Sequence, residues 1–265
     1  MTRAQRTMLA GAWLLVTLPA IGAAQISIAG SMTHTLNAEP GAVESRSIVL
    51  RNEGEVAQTV GLYQTDYQFR ADGSVFYDEA GSHTRSNAEW ISLPAAQVTV
   101  PAGGQVPVSY AVRVPERGDL SGTYWSIIMV ESELGAPSDG SGAALGVRHL
   151  MRFAVQVINE FDGGEGMLAV TAASLERTES GLALALSVAN TGTRMLRPQV
   201  ELELYARDGS VVGPLAGPAK RLYPGSSARF VVPLDSVPGG EYRALALLDA
   251  GDADLFVAQY TLELE

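Results

Sequence analysis

Four short turn motifs occur twice along this chain, in the same order, and that repetition constrains its architecture more than any other feature. Asn52-Glu-Gly54, Asp72-Gly73, Pro101-Ala-Gly103 and Gly122-Thr-Tyr124 return as Asn190-Thr-Gly192, Asp208-Gly209, Pro224-Gly225 and Gly240-Glu-Tyr242. Asn and Gly tolerate positive φ in tight strand connections, and Pro presets φ ahead of a turn. Any one motif is weak, but a shared order implies a duplicated unit. The second copy is shorter, mainly between its Asp-Gly and Pro-Gly turns.

Between the turns run short alternating segments: Ser47-Ile-Val-Leu50, Gln97-Val-Thr-Val100, Val106 to Val114, Val200 to Leu204 and Ala228 to Val232. Period-two patterning with Gly and Pro punctuation predicts strands, and even Leu182 to Val188, built from good helix formers, alternates strictly. Gly-x-Tyr at the entrance of a late strand resembles the tyrosine corner of immunoglobulin-like sandwiches. The expected fold is all-β, with two immunoglobulin-like β-sandwich domains in tandem. Asn159 to Gly166 is polar and glycine-rich, as an interdomain linker would be. Domain one is therefore expected at 25–161 and domain two at 165–265.

Arg3 and Arg6 precede an apolar run from Met8 to Ile21, with Gly22 and Ala24 ahead of Gln25. This pattern predicts a signal peptide over 1–24, because the run falls short of the roughly 20 residues that cross a bilayer. The mature chain is expected to be exported, periplasmic or cell-surface associated, with no membrane span. No Cys follows the cleavage site, which argues against a lipid anchor there.

Composition narrows the chemistry. The 265 residues carry 18 Lys plus Arg against 29 Asp plus Glu, a formal charge of -11, so phosphate backbones and anionic lipid heads should be repelled. The absence of cysteine removes disulfide frameworks, Cys-ligated metals and thiol catalysis. His34, His83 and His149 lack metal-ligand spacing and read as surface or strand-packing residues. No nucleophile elbow, phosphate loop or dinucleotide fingerprint occurs. Glu131 and Glu133 share a strand face but read as solvated. Asp249, Asp252 and Asp254 lack the spacing of a calcium loop and read as a hairpin turn, with calcium the minor alternative. No catalytic residue, metal site or cofactor is expected.

Two segments carry the binding expectations. Tyr63, Thr65, Tyr67 and Phe69 share one parity, whereas the preceding Val60 and Leu62 have the other. A β-bulge that switches the inward face is the preferred account; otherwise Tyr63, Tyr67 and Phe69 form an aromatic stripe able to stack on sugar or on a partner. Trp90, Tyr110 and Trp125 read as core. From Leu145 to Ile158, the longest alternating run of domain one, Met151, Phe153, Val155 and Val157 face one way. Arg148, Leu150, Arg152, Ala154 and Gln156 face the other. An open edge here could add a partner strand, with Arg148, Arg152, Leu150, Met151 and Phe153 as contacts; pairing on both sides, with solvated arginines, is the alternative.

Asp72-Gly-Ser-Val-Phe-Tyr77, Trp90-Ile91, Val98 to Gly104, Val112 to Pro115 and Gly122-Thr-Tyr-Trp125 resemble the first domain of the WxL-interacting surface proteins. That resemblance implies two immunoglobulin-like domains, no enzymatic activity, and binding of envelope components and partner proteins. More distantly, Arg148-His-Leu-Met-Arg152 resembles the last domain-one strand of PapD-like periplasmic pilus chaperones. That second resemblance implies a basic anchor for a pilin's terminal carboxylate at Arg148, and strand addition along the same strand. The first strand departs from this pattern, with Gly30 about where the family has a second anchoring Arg. The sequence therefore points to a non-enzymatic, chaperone-like protein that binds other polypeptides in envelope or fimbrial assembly, with a glycan or peptidoglycan reader as the alternative.

Overall fold

The computed structural model describes residues 26–37, 39–134, 149–179, 181–251 and 255–264. The leader over 1–24, its cleavage site, Leu145, Val147, Arg148, Asp252 and Asp254 lie outside the described residues.

Among the described residues the chain is all-β apart from one turn of 3-10 helix, Ala88–Trp90. The first ten strands are β1 (Ile26–Ala29), β2 (Thr33–Leu36), β3 (Val43–Asn52), β4 (Gln58–Phe69), β5 (Val75–Asp78), β6 (Ile91–Ser92), β7 (Gln97–Val100), β8 (Gln105–Arg113), β9 (Gly122–Leu134) and β10 (His149–Phe161). They form one sheet ordered β1-β3-β8-β6 and another ordered β2-β10-β9-β4-β5, with β7 also on β4. The remaining strands are β11 (Leu168–Thr178), β12 (Gly181–Asn190), β13 (Gln199–Ala206), β14 (Val211–Ala219), β15 (Ser227–Pro233), β16 (Gly240–Asp249) and β17 (Leu255–Leu264). Their sheets are ordered β11-β12-β15 and β14-β13-β16-β17. The order β1-β3-β8 matches β11-β12-β15, and β10-β9-β4-β5 matches β17-β16-β13-β14, so the duplicated turns sit on duplicated sandwiches. Residues 159–161, expected in a linker, instead continue β10, and Asn159 is fully buried.

Period-two patterning produces each core directly. Ile48, Leu50, Val108, Tyr110, Val112, Ile128 and Val130 fill the first sandwich, and Leu184, Leu186, Val200, Leu202, Phe230 and Val232 fill the second. Fully burying each such aliphatic or aromatic side chain contributes about 1.5–3 kcal/mol. The repeated motifs do the same work in each copy. Asn52 is buried, its Nδ2 donating to the carbonyls of Val56 and Val100 while its Oδ1 accepts from the Gly54 amide. Asn190 does likewise with Arg194, Leu222 and Gly192. The Asp-Gly turns close identically: Ser74 donates its amide to Asp72 at 2.9 Å and its hydroxyl at 2.6 Å, and Ser210 repeats both distances to Asp208. The tyrosines diverge. The Tyr242 hydroxyl donates to the Pro238 carbonyl at 3.0 Å, a tyrosine-corner bond, whereas Tyr124 packs between Trp90 and Phe161 with Arg85 over its ring.

The sandwiches meet through backbone and aromatic contacts. The Thr123 amide donates to the Thr193 carbonyl and its hydroxyl accepts from the Met195 amide. Trp125 stacks on Tyr223 at 4.9 Å and 10°, and its indole N–H donates to the Tyr67 carbonyl.

Candidate functional site

The edge of β10 changes character along its length. Strand β9 pairs with it from His149 to Phe161 without a register shift. On the other side, Thr33–Leu36 of β2 pair in parallel with Gln156–Asn159, and no described strand pairs with residues 149–155 there. The Gln156 amide donates to the Met32 carbonyl at 2.8 Å and so faces the β2 side. Because backbone groups alternate along a strand, the amides of Leu150, Arg152 and Ala154 face that same uncovered side. Neither reading of this run is complete: among the described residues, the edge is covered over its second half and uncovered over its first.

Side chains follow the expected parity. Val155 and Val157 are buried, Met151 and Phe153 are half-buried, and Phe153 packs against the first core. Core filling thus thins out as β10 runs into the uncovered half of its edge. On the outer face Leu150 is 48% exposed. Arg152 is exposed but engaged, its Nε donating to Glu131 Oε2 at 2.6 Å, and the same oxygen accepts from the Tyr63 hydroxyl at 3.3 Å. This carboxylate pushes the Arg152 pKa up, and desolvation followed by the Glu131 charge raises that of Tyr63. Glu131 therefore acts as a cross-strand tie. Among the described residues, no group of three His, Asp or Glu could hold a metal ion.

The aromatic residues of β4 are not brought together as one open face. Register between β4 and β9 runs unbroken from Val60 to Thr65, so no bulge switches the parity there, contrary to the preferred sequence reading. The odd-numbered side chains are on the outer face of the sheet, and the second sandwich covers part of that face. Tyr67 and Phe69 pack edge-on to Tyr223, Tyr67 also contacts Tyr77, and only Tyr63 stays exposed. A small groove remains between the sandwiches, lined by Tyr67, Phe69, Gln156, Arg221 and Tyr223. Within it Gln156 Oε1 accepts from the Tyr223 hydroxyl at 2.6 Å and from Arg221 at 3.2 Å. Burial raises the Tyr67 pKa and pushes that of Tyr223 up to about 12.

Sequence reasoning missed two contributors. Thr-His-Thr-Leu over β2 is too short and polar to announce a strand, and Tyr223 lies outside any alternating run.

No family profile and no curated protein matches the chain, so neither sequence resemblance has a family match behind it. Solved structures similar to it include a chaperone-tip adhesin complex of CFA/I fimbriae biogenesis, at 9% identity and TM-score 0.48, covering 89% of this chain and 98% of that one. A chaperone-tip subunit complex from the Csu pili of Acinetobacter baumannii is 13% identical with TM-score 0.43, over 89% and 98%. The Salmonella enterica SafA pilin in complex with the SafB chaperone gives 14% and 0.42, over 92% and 99%. With each of these scores below 0.5, the functional reading rests on the geometry of β10.

Proposed function

We propose that this chain is an exported, non-enzymatic protein that captures an extended segment of a partner polypeptide along β10, as a chaperone-like factor in envelope or fimbrial assembly. The observation that carries this reading is the edge beside Leu150–Val155, which no described strand covers and where Met151 and Phe153 are only half-buried. An added strand would satisfy the outward amides of Leu150, Arg152 and Ala154, and its inward side chains would pack on Met151 and Phe153. The domain division at 25–161 and 165–265, the leader over 1–24 and a carboxylate-anchoring role for Arg148 belong to the same proposal. A glycan reader has no comparable support, since Tyr67 and Phe69 are engaged with Tyr223.

A photo-crosslinking residue in place of Leu150, in the full chain within its own cell, tests the reading against a second one at Val257 on the edge strand β17. Adducts at 150 that Ala154→Pro removes are expected. Equal adducts at both positions, or adducts at 150 indifferent to Ala154→Pro, would sink it.

A further inference from the structure

Strand β2 is a short strap over the covered half of the β10 edge. Four parallel register pairs, the fully buried Leu36 and one polar contact across the sandwich hold it. That contact is His34 with Tyr110 of β8: Nδ1 lies 2.5 Å from the phenol oxygen, Nε2 lies 3.1 Å from the Ser31 carbonyl, and the rings stack 3° from parallel. A carbonyl can only accept, so Nε2 carries the hydrogen and the bare Nδ1 accepts from the Tyr110 hydroxyl. The neutral imidazole thereby satisfies both neighbours. An imidazolium would aim a second N–H at a hydroxyl whose own hydrogen must then turn away, at a Tyr110 that is 2% exposed. The charged group facing His34 is Arg46 of β3, itself paired with Glu44 at 2.8 Å.

We infer that β2 is a pH-sensitive strap: protonation of His34 releases Thr33–Leu36 from β10 and lengthens the uncovered edge from Leu150–Val155 to Leu150–Asn159. Burial lowers the His34 pKa below its usual 6.5, Arg46 adds to that, and the Ser31 carbonyl opposes it. The docked strap therefore binds fewer protons than the free one. Its hold is complete above pH 6.5 and weakens as pH falls from there through the docked pKa. That the lengthened edge serves capture rests on the proposed function; the release itself does not.

Hydrogen exchange on the full chain, corrected for intrinsic rates, between about pH 7.5 and about pH 5 tests the strap. The amides of Gln156 and Ile158, which face β2, should lose protection at the lower pH by about threefold or more, up to tenfold for each unit by which docking lowers the His34 pKa, while those of Val157 and Asn159, which face β9, stay protected. His34→Gln keeps an acceptor for Tyr110 and a donor for Ser31 but does not titrate, so it should hold protection constant. Unchanged protection in the parent, or an equal loss in His34→Gln, overturns the inference. Should that variant fail to fold, the His34 ring signals in the parent decide: they must titrate together with the Gln156 amide, and separate midpoints overturn the strap. Ala154→Pro should leave this pH response intact, so lost capture with a normal response tells against strand capture only.

Discussion

The Gln156 amide donates to the Met32 carbonyl at 2.8 Å, and two residues earlier on the same side of β10 the Ala154 amide meets no described strand. One strand edge is therefore both a finished ladder and an unfinished one.

That contrast separates binding from stability at neighbouring positions. Proline at 154 removes an N–H that has no described partner on the β2 side and leaves the β9 ladder whole, which is where strands tolerate it. Proline at 155 removes an N–H facing β9. We expect Ala154→Pro to abolish strand capture while costing under about 1 kcal/mol of stability, and Val155→Pro to cost about 3 kcal/mol or more. Urea unfolding of the two variants, beside crosslinking at 150, checks the pair.

The duplicated Asn motifs predict duplicated penalties. Removing either side chain strands one buried carbonyl, one part-buried carbonyl and one amide, so Asn52→Ala and Asn190→Ala should each cost about 2–4 kcal/mol. Calorimetry of both variants would detect an asymmetry, which the matching geometry does not allow.

Strands and repeat are legible in sequence because both are local signals: side-chain alternation over five to ten residues, and turn residues whose φ demands are intrinsic. The buried role of Asn52 and Asn190 is only half legible, since a turn explains Gly54 and Gly192 but not the distant carbonyls of Val100 and Leu222. What covers β10 is not legible. The Thr33–Leu36 strap pairs with residues far along the chain, and parallel register over four residues leaves no pattern. The aromatic run of β4 suggested a bulge because the second sandwich, which covers Tyr67 and Phe69, has no local signature in β4.

Gly122 reports on the seam between the sandwiches. It has φ of +68°, and an ideal Cβ there would run into the Thr193 carbonyl that accepts from the Thr123 amide. Gly122→Ala combines backbone strain with a clash against main chain, so a loss of about 1–3 kcal/mol is expected. Limited proteolysis should then cut more readily near the seam, and an unaltered cleavage pattern would mean the two sandwiches adjust without cost.

Tyr223 gives that seam an alkaline limit. Its phenol donates to Gln156 at 2.6 Å, its ring stacks on Trp125, and its side chain is about 1% exposed. Desolvation is the main cause that pushes its pKa from 10.0 up to about 12, with the Arg221 guanidinium pulling the other way. A group whose folded pKa is raised adds stability that is fully present below the unfolded value and lost as pH rises through the folded one. The contact should therefore hold up to about pH 10 and weaken between pH 10 and about 12 by on the order of 2–3 kcal/mol. Trp125 fluorescence reads this directly, because ionised Tyr223 would leave both its stacking partner and its hydrogen bond to Gln156. Tyr223→Phe keeps the stack without an ionisable group, so it should give up about 1 kcal/mol at neutral pH and remove the Trp125 transition between pH 10 and 12. Persistence of that transition in Tyr223→Phe would assign it to another phenol of the seam, Tyr67, whose pKa burial also raises and whose ring packs against residue 223.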